Sequence, residues 1–238
     1  MFLIKRITVM KITKILAFSD ISDIWEWDKE YEEIVDEVKP NVVCLAGDLT
    51  SDGGLPKLDI ERRRDHVEKF YKFLRCASTK SKVLVVKGNH DEDFEGDYVP
   101  ERINRIQSCK EISGKFFDVS GLRFLGLGFE EAHKLRNKAY FSSLIDKFGG
   151  KIDAIVMHGE NVRLASLLKP RVIIKGGFFA GRCRINNVPV VFTGPGVYVL
   201  IEVGDETLHV AHYRTYTRRE VAASLPPFYK NLSWIKPW

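Results

Sequence analysis

Four apolar β-type runs in this chain each end directly on a side chain able to bind a metal or carry a proton. Lys-Ile-Leu-Ala-Phe-Ser ends at Asp20, and Asn-Val-Val-Cys-Leu-Ala-Gly at Asp48. Lys-Val-Leu-Val-Val-Lys-Gly ends at Asn89-His90-Asp91, and Ala-Ile-Val-Met at His158-Gly159. Such runs suit strands buried on both faces, as in parallel α/β sheets. Sites in those sheets form beyond the carboxyl ends of the strands, where loops converge while the strands fix them. One Asp after a strand is ordinary, since Asp caps a following helix. Four such endings on one edge point instead to a shared site.

Between these runs, β-branched stretches alternate with helical ones. Strands are predicted over 14–19, 41–46, 82–87, 152–157 and 171–175, and helices over 25–38, 60–76, 100–106, 140–148 and 161–168. The dipeptides Ser120-Gly121, Asn186-Asn187 and Gly204-Asp205 mark hairpins. These pair 116–119 with 122–127, 182–185 with 189–193, and 197–203 with 207–211. Two packed sheets with helices outside accommodate both patterns. No linker or repeat interrupts the sequence, so a single domain over 1–238 is expected, with an aromatic, proline-bearing tail over 214–238.

Composition narrows the class. With 45% hydrophobic and 29% charged residues, the chain has the make-up of a globular domain, which excludes a disordered or collagen-like one. No apolar run reaches the ~20 residues of a membrane-spanning helix. The N-terminal stretch is broken by Lys and Arg, unlike a secretion signal. Cys44, Cys76, Cys109 and Cys183 show no CxxC spacing, which argues against disulfides or structural zinc and suits a reducing cytoplasm. Residues 1–119 carry 20 Lys and Arg against 23 Asp and Glu, a net −3; residues 120–238 carry 17 against 9, a net +8. A positive region of this sort attracts phosphate or nucleic acid.

Asp, Asn and His offer oxygen and imidazole nitrogen without thiolate, a donor set suited to Mn, Fe, Zn or Mg. Paired ions about 3.5–4 Å apart hydrolyse phosphate esters by clamping the attacking and leaving oxygens. Through Asp20, Gly47-Asp48-Leu49-Thr50, Gly88-Asn89-His90-Asp91 and His158-Gly159, the chain resembles the calcineurin-like metallophosphoesterases, in order, from about residue 12 to 213. The resemblance implies an α/β fold, a four-layer αββα sandwich of two mixed β-sheets flanked by helices. It also implies a divalent metal centre and hydrolysis of phosphomonoesters or phosphodiesters. Asp20, Asp48, Asn89 and His158 then stand as metal ligands, with Asp48 as the bridge. His90 stands beside the phosphate, assisting the leaving group or stabilising charge on the phosphoryl oxygens, and Asp20 orients water or His90 or holds a second, loosely bound ion.

The departures are equally specific. Ser22 occupies the histidine position of the first motif, and Gly176-Gly177-Phe178-Phe179 stands where the family closes on Gly-His-x-His. On that correspondence one metal site keeps only Asp20 and Asp48, while the other keeps Asp48, Asn89 and His158. Three protein ligands plus water suffice for a catalytic ion and two rarely do. One divalent ion rather than two is therefore expected. Lys175, Arg182 and Arg184 flank the altered stretch, and one of them is expected to neutralise phosphate charge where a metal has been lost, with Arg182 and Arg184 the named phosphate-binding candidates. Asp91, Glu92, Asp93, Glu95 and Asp97 read as a solvated acidic loop. Asp23 is expected to point away from the site.

Two classes of function stay open at this point. One is a metal-dependent phosphoesterase with a reduced, single-metal centre acting on a phosphate ester. The other is a catalytically inactive binding or scaffold protein on the same fold, as one subunit of the retromer complex is within the family. Nucleic-acid processing ranks third, because no interleaving of aromatic and basic residues marks a groove. The tail residues Pro226, Pro227, Phe228, Tyr229, Trp234 and Trp238 are expected to pack on the domain or on a protein partner. No membrane partner is expected.

Overall fold

The structure is a computed structural model and describes residues 12–21, 27–50, 60–91, 98–148, 151–215 and 235–236. The first half builds β1 (Thr13–Phe18), α1 (Trp27–Val38), β2 (Val42–Ala46), α2 (Ile60–Ser78), β3 (Lys82–Val86), α3 (Pro100–Arg105) and β4 (Cys109–Glu111). Next come β5 (Phe116–Val119), β6 (Leu122–Leu127), α4 (Phe129–Lys134), α5 (Lys138–Phe148), β7 (Ala154–His158), α6 (Val162–Ser166) and β8 (Val172–Gly176). The chain closes with β9 (Gly181–Ile185), β10 (Val188–Phe192), β11 (Val197–Val203), β12 (Leu208–Arg214) and β13 (Ile235–Lys236).

These strands form two mixed sheets. One runs β12-β11-β1-β2-β3-β4, and the other β13-β9-β10-β8-β7-β6-β5. Within the first, β1 to β4 are mutually parallel and β11 lies antiparallel to β1. Within the second, β6, β7, β8 and β10 are parallel, while β5 and β9 are antiparallel neighbours. This is the expected sandwich, with three apolar layers. Ala17, Cys44 and Val86 of one sheet meet Val156, Ile174 and Val191 of the other in the central layer. On the outer face of the first sheet, Leu16, Phe18 and Leu45 are covered by Tyr31 and Ile34 of α1 and by Phe70 and Phe73 of α2. On the outer face of the second sheet, Leu127, Ile155 and Ile173 lie under Ala132, Leu144 and Ala165.

Three short elements escape sequence reading, β4, α4 and β13, at three, six and two residues. None is long enough to display a periodicity. β12 runs past the predicted hairpin to Arg214, because it pairs with β11 along its whole length. Two residues of the tail, Ile235 and Lys236, pair with Ile185 and Arg184 at the sheet edge. Ser22, Asp23, the acids of 92–97 and the tail aromatics named above lie outside the described residues. All four cysteines are free, and burial pushes the thiols of Cys109 and Cys183 up to about 12. Among the described residues no helix is long and apolar enough to cross a membrane.

What positions the site is the closeness of the two sheets at one edge. β8 ends on Gly176, where a Cβ would overlap Ala46 O at the end of β2 and lie 2.8 Å from His158 Nδ1. Any side chain at that position forces the sheets apart. Gly176→Ala should therefore lower stability by about 2–3 kcal/mol, measured as a fall in the urea midpoint at unchanged m. An unaltered midpoint would show that the edge tolerates a wider gap.

Candidate functional site

At the carboxyl edge of the first sheet the chain leaves β1 and β2 in the left-handed region, with φ 52° at Asp20 and 55° at Asp48. That conformation is unfavourable for an L residue and persists only where neighbours impose it. Here Asp20 N donates to Gly47 O at 3.1 Å, which ties the two exits together. The carboxylates are thereby turned inward, and both residues are buried.

Asp91 holds the two signature loops in register. Its Oδ1 accepts hydrogen bonds from Leu49 N (2.6 Å), Thr50 N (3.0 Å) and Thr50 Oγ1 (3.1 Å). Its Oδ2 accepts from Asp48 N (3.0 Å) and Gly88 N (2.7 Å). The expectation that Asp91 belongs to a solvated acidic loop is thus wrong: the side chain is fully buried. Backbone donors left over by the turn after β2 need an acceptor there, and a carboxylate can receive several at once. Burial and the Asp48 charge push its pKa up, against the pull of those donors.

Three electron-rich atoms meet beside this clasp. His158, the last residue of β7, places Nδ1 2.8 Å from Ala46 O, so that nitrogen donates. Its Nε2 lies 3.0 Å from Asn89 Oδ1 and 3.2 Å from Asp48 Oδ2. All three neighbours are acceptors, an environment that favours the protonated imidazole. Burial opposes this, but the Asp48 carboxylate outweighs it and the His158 pKa is raised. For Asp48, burial pushes the pKa up, and the His158 contact together with the His90 N–H, 3.0 Å from Oδ1, brings it below the ordinary value. His90 is half-buried, with its backbone held by that bond, and Asn89 is exposed.

Asp20 faces the same opening from β1. Its Oδ2 accepts Gly177 N at 2.8 Å. Burial raises its pKa to about 6, only partly offset by the Ser19 hydroxyl and the His158 charge. Lys175 supplies the cation on this side. Its Nζ donates to Gly176 O at 2.9 Å and lies 3.2 Å from where a Cβ on Gly177 would stand. The ammonium thus occupies the space beside Gly177. Burial lowers the Lys175 pKa, while the charges of Asp20, Glu160 and Asp48 oppose the shift.

Among the candidates, Asp20, Asp48, Asn89, His90 and His158 are therefore brought to one edge. Arg182 and Arg184 are engaged with backbone instead: Arg182 Nη1 donates to Val210 O across the sheets (2.8 Å), and Arg184 Nη1 to Asn187 O at a hairpin tip (3.0 Å). The cation whose charged neighbours are the site's own carboxylates is Lys175. Among the described residues no group of three or more His, Cys, Asp or Glu is arranged to hold a metal ion. The convergent set here owes its third member to an amide, Asn89.

A sequence model of the calcineurin-like phosphoesterases matches residues 13–194, most of the chain. The chain belongs to the calcineurin-like phosphoesterase family. Solved structures share the architecture of this family member, one of them at a TM-score of 0.63 with 15% identity, over 84% of this chain and 98% of that one. The protein TT1561 of Thermus thermophilus aligns at 0.57 with 15% identity, over 89% and 98% of the two chains. GAP50, described as the anchor in the inner membrane complex of Plasmodium, aligns at 0.57 with 8% identity, over 91% and 90%. At such identities the likeness is one of fold. No curated protein sequence matches the chain.

Two outcomes follow from this geometry. Asp91→Ala leaves four buried N–H donors without an acceptor and should cost about 3–5 kcal/mol, read by chemical denaturation; a loss well under 1 kcal/mol would deny Asp91 its role as clasp. Asp20 titrates at about 6 in the fold against the ordinary 3.8, so the native state holds this proton more tightly than the unfolded chain. The stabilisation is complete below pH 3.8 and is lost as pH rises through 6. In chelator-treated protein, Asp20→Asn should then exceed the parent in stability at neutral pH by up to about 3 kcal/mol, and the gap should close in acid. A gap independent of pH would place the titration elsewhere.

Proposed function

We propose that this chain is a metal-dependent phosphoesterase in which Asp48, Asn89 and His158 hold a single divalent ion. The observation that carries the proposal is the convergence of Asp48 Oδ2 and Asn89 Oδ1 on His158 Nε2, at 3.2 and 3.0 Å. Neighbouring donors around one ion, each about 2.0–2.2 Å from it, stand apart by about that much. The bond from Nδ1 to Ala46 O fixes the tautomer that leaves Nε2 as the ligating nitrogen, the usual outer support of a metal-binding histidine. The donor set therefore fits Mn, Fe, Zn or Mg. An ion bound there supplies Lewis acidity at a phosphoryl oxygen and lowers the pKa of water.

The remaining chemistry belongs to side chains. Lys175 places a positive charge against the phosphoryl oxygens on the side of Gly177, where no second protein ligand set is left. Asp20 has its pKa near 6, so close to neutral pH it can orient and deprotonate an attacking water. His90, half-buried beside Asp48, donates to the departing alcohol. The free, buried thiols agree with a cytoplasmic setting.

A second reading, an inactive scaffold, draws on the same altered stretch. Gly177 gives Asp20 a backbone N–H rather than a ligand beside it, and GAP50 is an anchor by description. Metal stoichiometry separates the two. The purified protein in excess Mn should bind about one ion, and His158→Ala none. The parent should hydrolyse simple phosphomonoesters or phosphodiesters, with kcat lowered about 10²–10⁴-fold in His90→Gln. A parent that binds no ion and turns over no ester would leave the scaffold reading standing.

A further inference from the structure

Beside the site, on the side of Asn89, lies a cavity of about 510 Å³, within the usual range for small-ligand pockets. Gly88 and Asn89 form the wall nearest the ligand set, while Tyr98, Glu111, Phe129 and Glu131 form the far walls. Phe129 joins the two regions: its N donates to Lys87 O at 2.9 Å, and its Cδ2 lies 3.5 Å from where a Cβ on Gly159 would stand, next to His158. A group attached to a phosphate held at Asn89 and His158 thus has this cavity directly beside it.

The walls are rich in acceptors and hydroxyls. Glu111 is buried, its Oε1 taking Ser113 N (3.0 Å) and its Oε2 Lys115 Nζ (2.9 Å), which leaves lone pairs on both oxygens. Glu131 is mostly buried and has Lys134 no nearer than 3.7 Å. Lys87 also lines the cavity and is the cation among its wall residues. The hydroxyl of Tyr98 is buried and meets no partner in hydrogen-bonding geometry, and burial together with the Glu111 charge pushes its pKa well up. An orphaned buried hydroxyl carries a desolvation penalty that a ligand group can remove.

We infer that this cavity receives the leaving group of the phosphate ester and selects a neutral polyol. Hydroxyls donate to the Glu111 and Glu131 carboxylates and exchange a bond with Tyr98, and the C–H face of the alcohol lies on Phe129. A second anionic group is excluded by the same carboxylates. The inference rests on the phosphoesterase reading for the word "leaving group", but binding of the alcohol is measured separately.

The test is a matched pair of esters, glycerol 3-phosphate and 3-phosphoglycerate, which differ at the end remote from the phosphate. The parent should favour the first in kcat/KM by at least tenfold, a preference that Tyr98→Phe cuts several-fold and Glu131→Lys reverses. Equal use of both esters by the parent, or a ratio untouched by either variant, overturns the inference while leaving the activity intact. In a second arm, free ribitol is titrated into metal-free protein by ligand-observed NMR, which needs no turnover. Binding that weakens in Tyr98→Phe supports the pocket even if every ester proves inert, and no binding counts against it. Tyr98→Phe should also melt no lower than the parent, since it removes an unpartnered hydroxyl; a clear loss would mean that the hydroxyl is already satisfied.

Discussion

The hydrogen bond between His158 Nδ1 and Ala46 O joins the two sheets at the edge where Asp20, Asp48, Asn89 and His90 gather. It does two things at once. It fixes how closely β7 can approach β2, an approach that only a glycine at 176 permits. It also commits Nδ1 to donation, so Nε2 is the nitrogen that faces Asp48 and Asn89. Without this contact the ring is free to rotate, and the carboxylate and amide of the opposite sheet lose their common focus.

Around that bond the electrostatics are arranged in opposition. Two buried aspartates, 20 and 48, lie near one histidine and one lysine, and their environments push them apart: Asp48 falls below the ordinary carboxylate range and Asp20 rises to about 6. Paired acids separated in this way differ in how readily they hold a proton near neutral pH. Lys175 adds a positive charge beside the Gly-Gly-Phe-Phe stretch, which carries no ionisable side chain. Its ammonium lies beside Gly177, where burial lowers its pKa and the charges of Asp20, Glu160 and Asp48 oppose that shift.

Much of the fold was legible locally. The hairpin pairing 116–119 with 122–127 was legible to the residue, and the four polar strand endings named Asp20, Asp48, Asn89, His90 and His158. Runs such as Val-Val-Cys-Leu-Ala, buried at every position, declare a central strand without reference to anything distant. The errors came where a side chain's partner is remote in sequence. Asp91 reads as one more acid in an acidic loop, yet its oxygens answer N–H groups some forty residues earlier, at Asp48, Leu49 and Thr50. Arg182 likewise finds a remote partner, donating across the sheets to Val210 O.

The sequence alone therefore determined which residues lie at strand ends and which family motifs survive, because periodicity and turn chemistry are written within a few positions of one another. Tertiary structure alone decided what those residues face. That Lys175 rather than an arginine stands by the carboxylates, that Asp91 is a clasp, and that Tyr98 lines a cavity with its hydroxyl unanswered all depend on two sheets meeting. The physical reason is that hydrogen bonding and desolvation act over a few ångströms of space, whatever the separation along the chain.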